Sequence, residues 1–269
     1  MKNIIRTGLG MLALSVVLTA ASVVFIKAHA GNIAASGSGS EASEIRQVNA
    51  GVVNIVMHGP VDLVVKQSAT PELLIKGDPK LVSRVTTRME GNTLHIGTRG
   101  IFISFGKSEQ TRAELSLPTL EKLQIAGSGD ASVKGFRGNK VDLSMNGSGD
   151  LIFDGEFQQV TASLHGSGDL NLNLGSSEAI DLNINGSGDS NIKGQTKLLT
   201  AKLTGSGDLN ASSLKSGQVI LNSLGSSTSK VFASQEVKLK LMGSGDVHIS
   251  GNPQKRNVER LGSGEVRWD

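Results

Sequence analysis

The 269-residue chain has no cysteine and no tyrosine, one tryptophan, five prolines and seven phenylalanines. Without cysteine there are no disulfides and no thiolate metal sites, so an exported form must rely on its packed core. The shortage of aromatic rings argues against a deep saccharide cleft, though not against a shallow contact surface. An excess of one charge is missing as well. The chain carries 27 Lys and Arg against 24 Asp and Glu, and three of those bases, Lys2, Arg6 and Lys27, sit in an acid-free leader. The remainder is formally neutral, which gives a nucleic-acid partner no electrostatic support.

Catalytic signatures are absent too. There is no phosphate loop, dinucleotide fingerprint, zinc spacing or G-x-S-x-G elbow on a strand-to-helix turn. After the leader the histidines are His58, His95, His165 and His248. His58 and His165 precede a glycine, whereas His95 and His248 each sit between two apolar residues. These are solvated strand positions rather than ligand pairs. No catalytic residue, resident metal or cofactor is expected, and the chain is read as a non-enzyme.

A single long apolar run is present, over residues 7–26. Lys2 and Arg6 precede it and Ala28-His29-Ala30 follows, which marks residues 1–30 as a secretory signal peptide cut after Ala30. The run is also long enough to span a bilayer, so membrane attachment is expected only if the leader stays uncleaved. Residues 31–44, GNIAASGSGSEASE, read as a flexible linker that includes the GSGS at 37–40. The folded domain is then 45–269, less regular over 45–118 and regular over 119–269.

What the sequence has in abundance is one motif. GSGD stands at 127–130, 147–150, 166–169, 186–189, 205–208 and 243–246, GSGE at 262–265, and a degraded GSST at 225–228. Successive starts are 20, 19, 20, 19, 20, 18 and 19 residues apart. A fixed period of this size means a solenoid whose turns cannot fold alone. Six, four and two places before the motif stand apolar residues such as Val141, Leu143 and Met145, or Ile180, Leu182 and Ile184. Four and six places after it come pairs such as Leu151 and Phe153, or Leu170 and Leu172. The residues between are mostly Asp, Asn, Ser, Thr and Lys. Period-two alternation predicts strands with one face in a core. The fold class is therefore all-β, a parallel β-helix with coils of about 19–20 residues. Eight to ten coils are expected, a stack of roughly 40–50 Å at the usual strand spacing.

The same offsets surround GPVD at 59–62, where Val53, Ile55 and Met57 precede and Leu63 and Val65 follow. Segments around Leu73–Ile75, Val85–Met89 and Leu94–Ile96 read as further strands, with turns at 77–79 and 90–92. Phe102 and Phe105 are expected to pack on the end of the core. At the other end Arg256, Val258 and Arg260 occupy offsets that are apolar elsewhere, and Trp268 is placed to cover the open end.

The corner glycines, Gly127 and Gly129, Gly147 and Gly149, Gly166 and Gly168, Gly186 and Gly188, Gly205 and Gly207, Gly243 and Gly245, are expected to permit the sharp bend. The Ser and Asp side chains can hydrogen-bond backbone groups left unpaired there. A functional alternative makes Asp130, Asp150, Asp169, Asp189, Asp208 and Asp246 a calcium-binding stripe. Carboxylates 5 Å apart repel by ~0.8 kcal/mol in water and ~3 kcal/mol at intermediate dielectric, so an exposed row needs no cation. The known calcium β-rolls also have a nonapeptide period, unlike this one.

The export signal, the bridge LSLPTLEKLQIAGSGD at 115–130 and the GSGD coils together resemble the head GIN domain family, whose members carry the name auto-transporter adhesin. The resemblance covers about residues 45–250 and implies a right-handed β-helix in the cell envelope or outside it. It supplies no catalytic residues. No C-terminal run of amphipathic strands follows the coils, so no barrel translocator is expected. The resulting expectation is an exported protein of the periplasm, cell surface or exterior that binds a glycan, envelope polymer or protein through a repetitive polar face. A purely structural envelope role and a polysaccharide lyase or hydrolase are the alternatives.

Overall fold

The computed structural model describes residues 41–100 and 111–269. The expected leader, residues 31–40 of the expected linker, and Phe102 and Phe105 lie outside the described residues.

In chain order the strands are β1 (Ala42–Arg46), β2 (Asn54–His58), β3 (Asp62–Gln67), β4 (Glu72–Gly77), β5 (Val85–Glu90), β6 (Thr93–Thr98), β7 (Arg112–Leu117) and β8 (Lys122–Gly127). They continue as β9 (Ala131–Gly147), β10 (Leu151–Gly166), β11 (Leu170–Gly186), β12 (Ser190–Gly205), β13 (Leu209–Gly225) and β14 (Ser229–Gly243). The last three are β15 (Val247–Ser250), β16 (Lys255–Gly262) and β17 (Val266–Trp268), and one short helix, α1 (Pro79–Val82), follows β4.

From β8 onward each coil pairs in parallel with the next. The register is strict: Val141 faces Val160, which faces Ile180, which faces Leu199. All four are buried, as are Leu143, Ala162, Leu182 and Ala201 two residues on. The alternation seen in the sequence thus becomes a continuous column of stacked apolar side chains. Phe136, Phe153 and Phe157 fill one section of it, with the last two rings 6.0 Å apart. The solenoid has about seven turns. That is fewer than the eight to ten expected, because β1, β4 and β5 run antiparallel to their neighbours and add no coil.

The GPVD segment is a true early corner. β2 pairs in parallel with β8, and β3 with β9. Beyond them β6 and β7 add one more parallel rung. The N-terminal end is then closed by antiparallel pairing of β4 on β7, β1 on β4 and β5 on β6.

Two boundaries differ from the sequence reading. Ala42–Glu44, assigned to the linker, are strand, because the free edge of β4 supplies backbone partners that need no apolar side chains. The turn expected at 77–79 opens α1, where the Asp78 carboxylate accepts the Lys80 N–H at 2.7 Å and Pro79 begins the helix.

The C-terminal end stays open, with all eight residues of β16 exposed. Arg256 and Arg260 continue the columns of Val237 and Leu241. Their guanidinium groups are held locally. Arg256 lies 4.2 Å from the Trp268 ring and donates to Pro253 O and Asn252 Oδ1, and Arg260 donates to Gly264 O at 3.1 Å.

Candidate functional site

Each coil has two turns, and they are built differently. At the GSGD corner the two glycines serve separate needs. The first of each pair, from Gly127 to Gly262, has φ between +125° and +151°, which side chains disfavour. The second has ordinary φ but no room: a Cβ on Gly168 would run into the Gly149 carbonyl, and one on Gly188 into Gly168. Stacked corners approach so closely that serine N–H groups reach the glycine carbonyl one coil back, as from Ser167 to Gly147 at 3.0 Å.

The acids complete the ladder. The N–H of Asp150 donates to Asp130 Oδ1, Asp169 to Asp150, Asp189 to Asp169 and Asp208 to Asp189, each at 2.9 Å. Asp62 of the early corner takes the Asp130 N–H at 3.1 Å, and Asp246 takes that of Glu265 at 2.8 Å. One oxygen of each of these carboxylates is therefore committed to the neighbouring backbone. Among the described residues no three His, Asp or Glu side chains converge as a metal-ligand group.

The degraded GSST copy shows what the corner demands. Ser227 stands where the second glycine belongs, and its side chain is buried with Oγ 2.8 Å from Ser223 Oγ. Ser223 occupies the inward position that Met145, Leu164, Ile184, Leu203 and Leu241 fill in other coils. Ser223 and Ser227 touch within one coil, so the small side chain of Ser223 leaves the space that the Ser227 side chain fills. The pair of serines is one compensated change.

The opposite turn is irregular. Its inward column begins with Phe157 in β10. Counting back from the Gln159–Ala179 pair, Ser177 comes next, followed by Thr196 and Ser216. Replacing a phenylalanine by three small hydroxyl residues leaves a groove of about 700 Å³ across β10–β14. Thr196 and Ser216 donate to the carbonyls of Leu198 and Leu214. Ser177 Oγ is buried and has no partner among the described residues. Gln158, Gln195, Gln218 and Gln235 line the walls. Lys197 Nζ lies 2.6 Å from Glu178 Oε2, and Lys215 Nζ lies 4.1 Å from the Phe232 ring centroid.

The histidines are scattered: His58 and His165 are exposed, His248 is half-buried, and His95 lies 3.6 Å from Glu90. At the end of the ladder Glu265 hydrogen-bonds Arg267 and holds its guanidinium above the ordinary arginine range.

A family model described as "Putative auto-transporter adhesin, head GIN domain" matches residues 53–191 and 164–253, most of the chain. The chain belongs to the head GIN domain family. Solved structures share the fold of this head GIN domain. One described as a "putative adhesin", from Parabacteroides distasonis ATCC 8503, superposes with a TM-score of 0.77 at 20% identity, over 87% of this chain and 98% of that one. A second "putative adhesin", from Parabacteroides merdae ATCC 43184, gives 0.73 at 18% identity over the same shares. A "putative lipid binding protein", also from P. distasonis ATCC 8503, gives 0.70 at 23% identity, again over 87% and 98%. No curated protein matches the sequence.

Proposed function

We propose that this head GIN domain is an exported, non-enzymatic binding module of adhesin type, which holds a glycan, an envelope polymer or a protein on a repetitive polar face. One observation carries the reading. The outward side chains fall in register and repeat the same chemistry coil after coil, as in Asn171, Asn191 and Asn210, or Ser144, Ser163 and Asn183. Such a surface offers many equivalent weak contacts at a fixed spacing, so affinity accumulates along the axis. The names given to the family and to its structural neighbours agree with this role. A structural role is the second reading, favoured by the corner carboxylates, each of which commits one oxygen to the adjacent backbone.

The test is retention of the purified protein on immobilised glycans, cell-wall polymers and matrix proteins, with release of cleaved product scored in parallel. Retention without cleavage is expected. Cleavage would replace the binding module by an enzyme, and silence on every support would favour the structural role.

A further inference from the structure

Resting on the binding-module reading above, we infer that the groove at the second turn is the ligand seat, and that it takes an extended, largely neutral glycan lying along the solenoid axis. The groove runs from Gln158 on β10 to Gln235 on β14. Four rung steps of ~4.8 Å make it roughly 19 Å long, enough for several pyranose units. The rung step is also close to the advance of one sugar in an extended chain, so successive coils meet successive units.

The lining matches that ligand. Gln158, Gln195, Gln218 and Gln235 each offer an amide donor and an acceptor, the pairing that sugar hydroxyl and acetamido groups require. At the floor Ser177, Thr196 and Ser216 present only small buried side chains, which leaves room for a sugar ring above them. Charge is nearly balanced, because Lys197 neutralises Glu178 and Lys215 alone is left over. A strongly acidic polymer would want a row of cations. A docking peptide would want a cluster of apolar anchors, and the apolar side chains in the lining are Leu198 and Phe232.

The experiment titrates the full-length protein with cellohexaose, chitohexaose and mannohexaose, and with polygalacturonate as an acidic comparison. At least one neutral hexasaccharide should bind, with affinity rising from disaccharide to about a pentasaccharide and then levelling off. Gln195→Ala combined with Gln218→Ala should weaken it tenfold or more, while Arg88→Ala with Glu90→Ala, an exposed pair on β5 of the N-terminal closure, should leave it unchanged. Ser177→Phe, which restores the side chain of the preceding coil, should abolish binding. The glutamine variants alter exposed side chains and keep the test valid if Ser177→Phe fails to fold. Binding that survives the glutamine changes but falls when Asn171, Asn191 and Asn210 are together replaced by Ala would overturn the groove and leave the binding module standing. Preference for polygalacturonate, or no binding of any neutral hexasaccharide, would also overturn it. The binding module itself falls only if the polymer and protein supports are silent as well.

Discussion

The two turns of each coil solve opposite problems. At the GSGD corner the backbone of one coil touches that of the next, so Gly149, Gly168 and Gly188 stack with no space for a methyl group. At the opposite turn Gln158, Lys197 and Gln218 face a groove, and the pairing is interrupted. The register shifts between the coils from β9 to β14 fall between the strand that leaves one corner and the strand that approaches the next, as between Asp154 and Gln159 or Asn173 and Ser176. That location explains the repeat lengths. Ala131 faces Leu151, 20 residues on, but Val141 faces Val160, 19 on, and the odd residue is taken up by a bulge between them. One turn fixes the pitch and the other absorbs the difference. Variation, and with it the chance to build a binding surface, collects where the pitch is not being set.

The sharpest way to break this contrast is Gly168→Ala. The new methyl meets the Gly149 carbonyl, and a loss of at least about 3 kcal/mol is expected from urea unfolding curves. Next comes the serine pair. Ser223→Leu overpacks against Ser227, and Ser227→Gly strands a buried hydroxyl, each by roughly 1–3 kcal/mol. The double variant restores the ordinary coil and should recover wild-type stability, a coupling above ~1.5 kcal/mol in a double-mutant cycle. Additive losses would show the two serines to be unrelated.

A smaller change tests the acid ladder. Asp169→Ala removes the acceptor of the Asp189 N–H and should lower stability by ~1–2 kcal/mol. Its converse is Thr228→Asp, since Thr228 gives the Asp246 N–H no carboxylate. That substitution should raise the melting temperature, and a fall would argue against the ladder. The smallest effect belongs to the opposite turn. One residue inserted between Ser176 and Ser177 should cost less than ~1 kcal/mol, because that turn already accepts lengths differing by one. An equal loss from insertions at either turn would erase the distinction.

The regular coils were legible because their cause is local. Period-two alternation around Gly147 or Gly186 states which side chains point inward, and the motif spacing states what stacks on what. The N-terminal closure was not. Leu73 and Ile75 announce a strand, but nothing in their spacing says that it runs antiparallel to β7. That direction depends on a partner some 40 residues away. The groove was hidden for another reason. Ser177, Thr196 and Ser216 lie beyond the bulges, so offsets counted from the corner slip by one residue and scatter the column. The available signal was the change from Phe157 to small hydroxyl residues, visible once the strands are aligned by contact. Ser223 was legible in principle, as a serine in a leucine column two residues before a corner that had lost its glycine.

The strict corner register also makes length a modular property. A segment running from one aspartate to the next, such as Leu170–Asp189, begins and ends against the same neighbours. Deleting or duplicating it leaves both ends of the molecule meeting what they met before. Near-identical repeats are prone to unequal recombination, so a gene of this kind can lengthen or shorten its product one rung at a time. The length of the stack can then change in steps without redesigning the N-terminal closure.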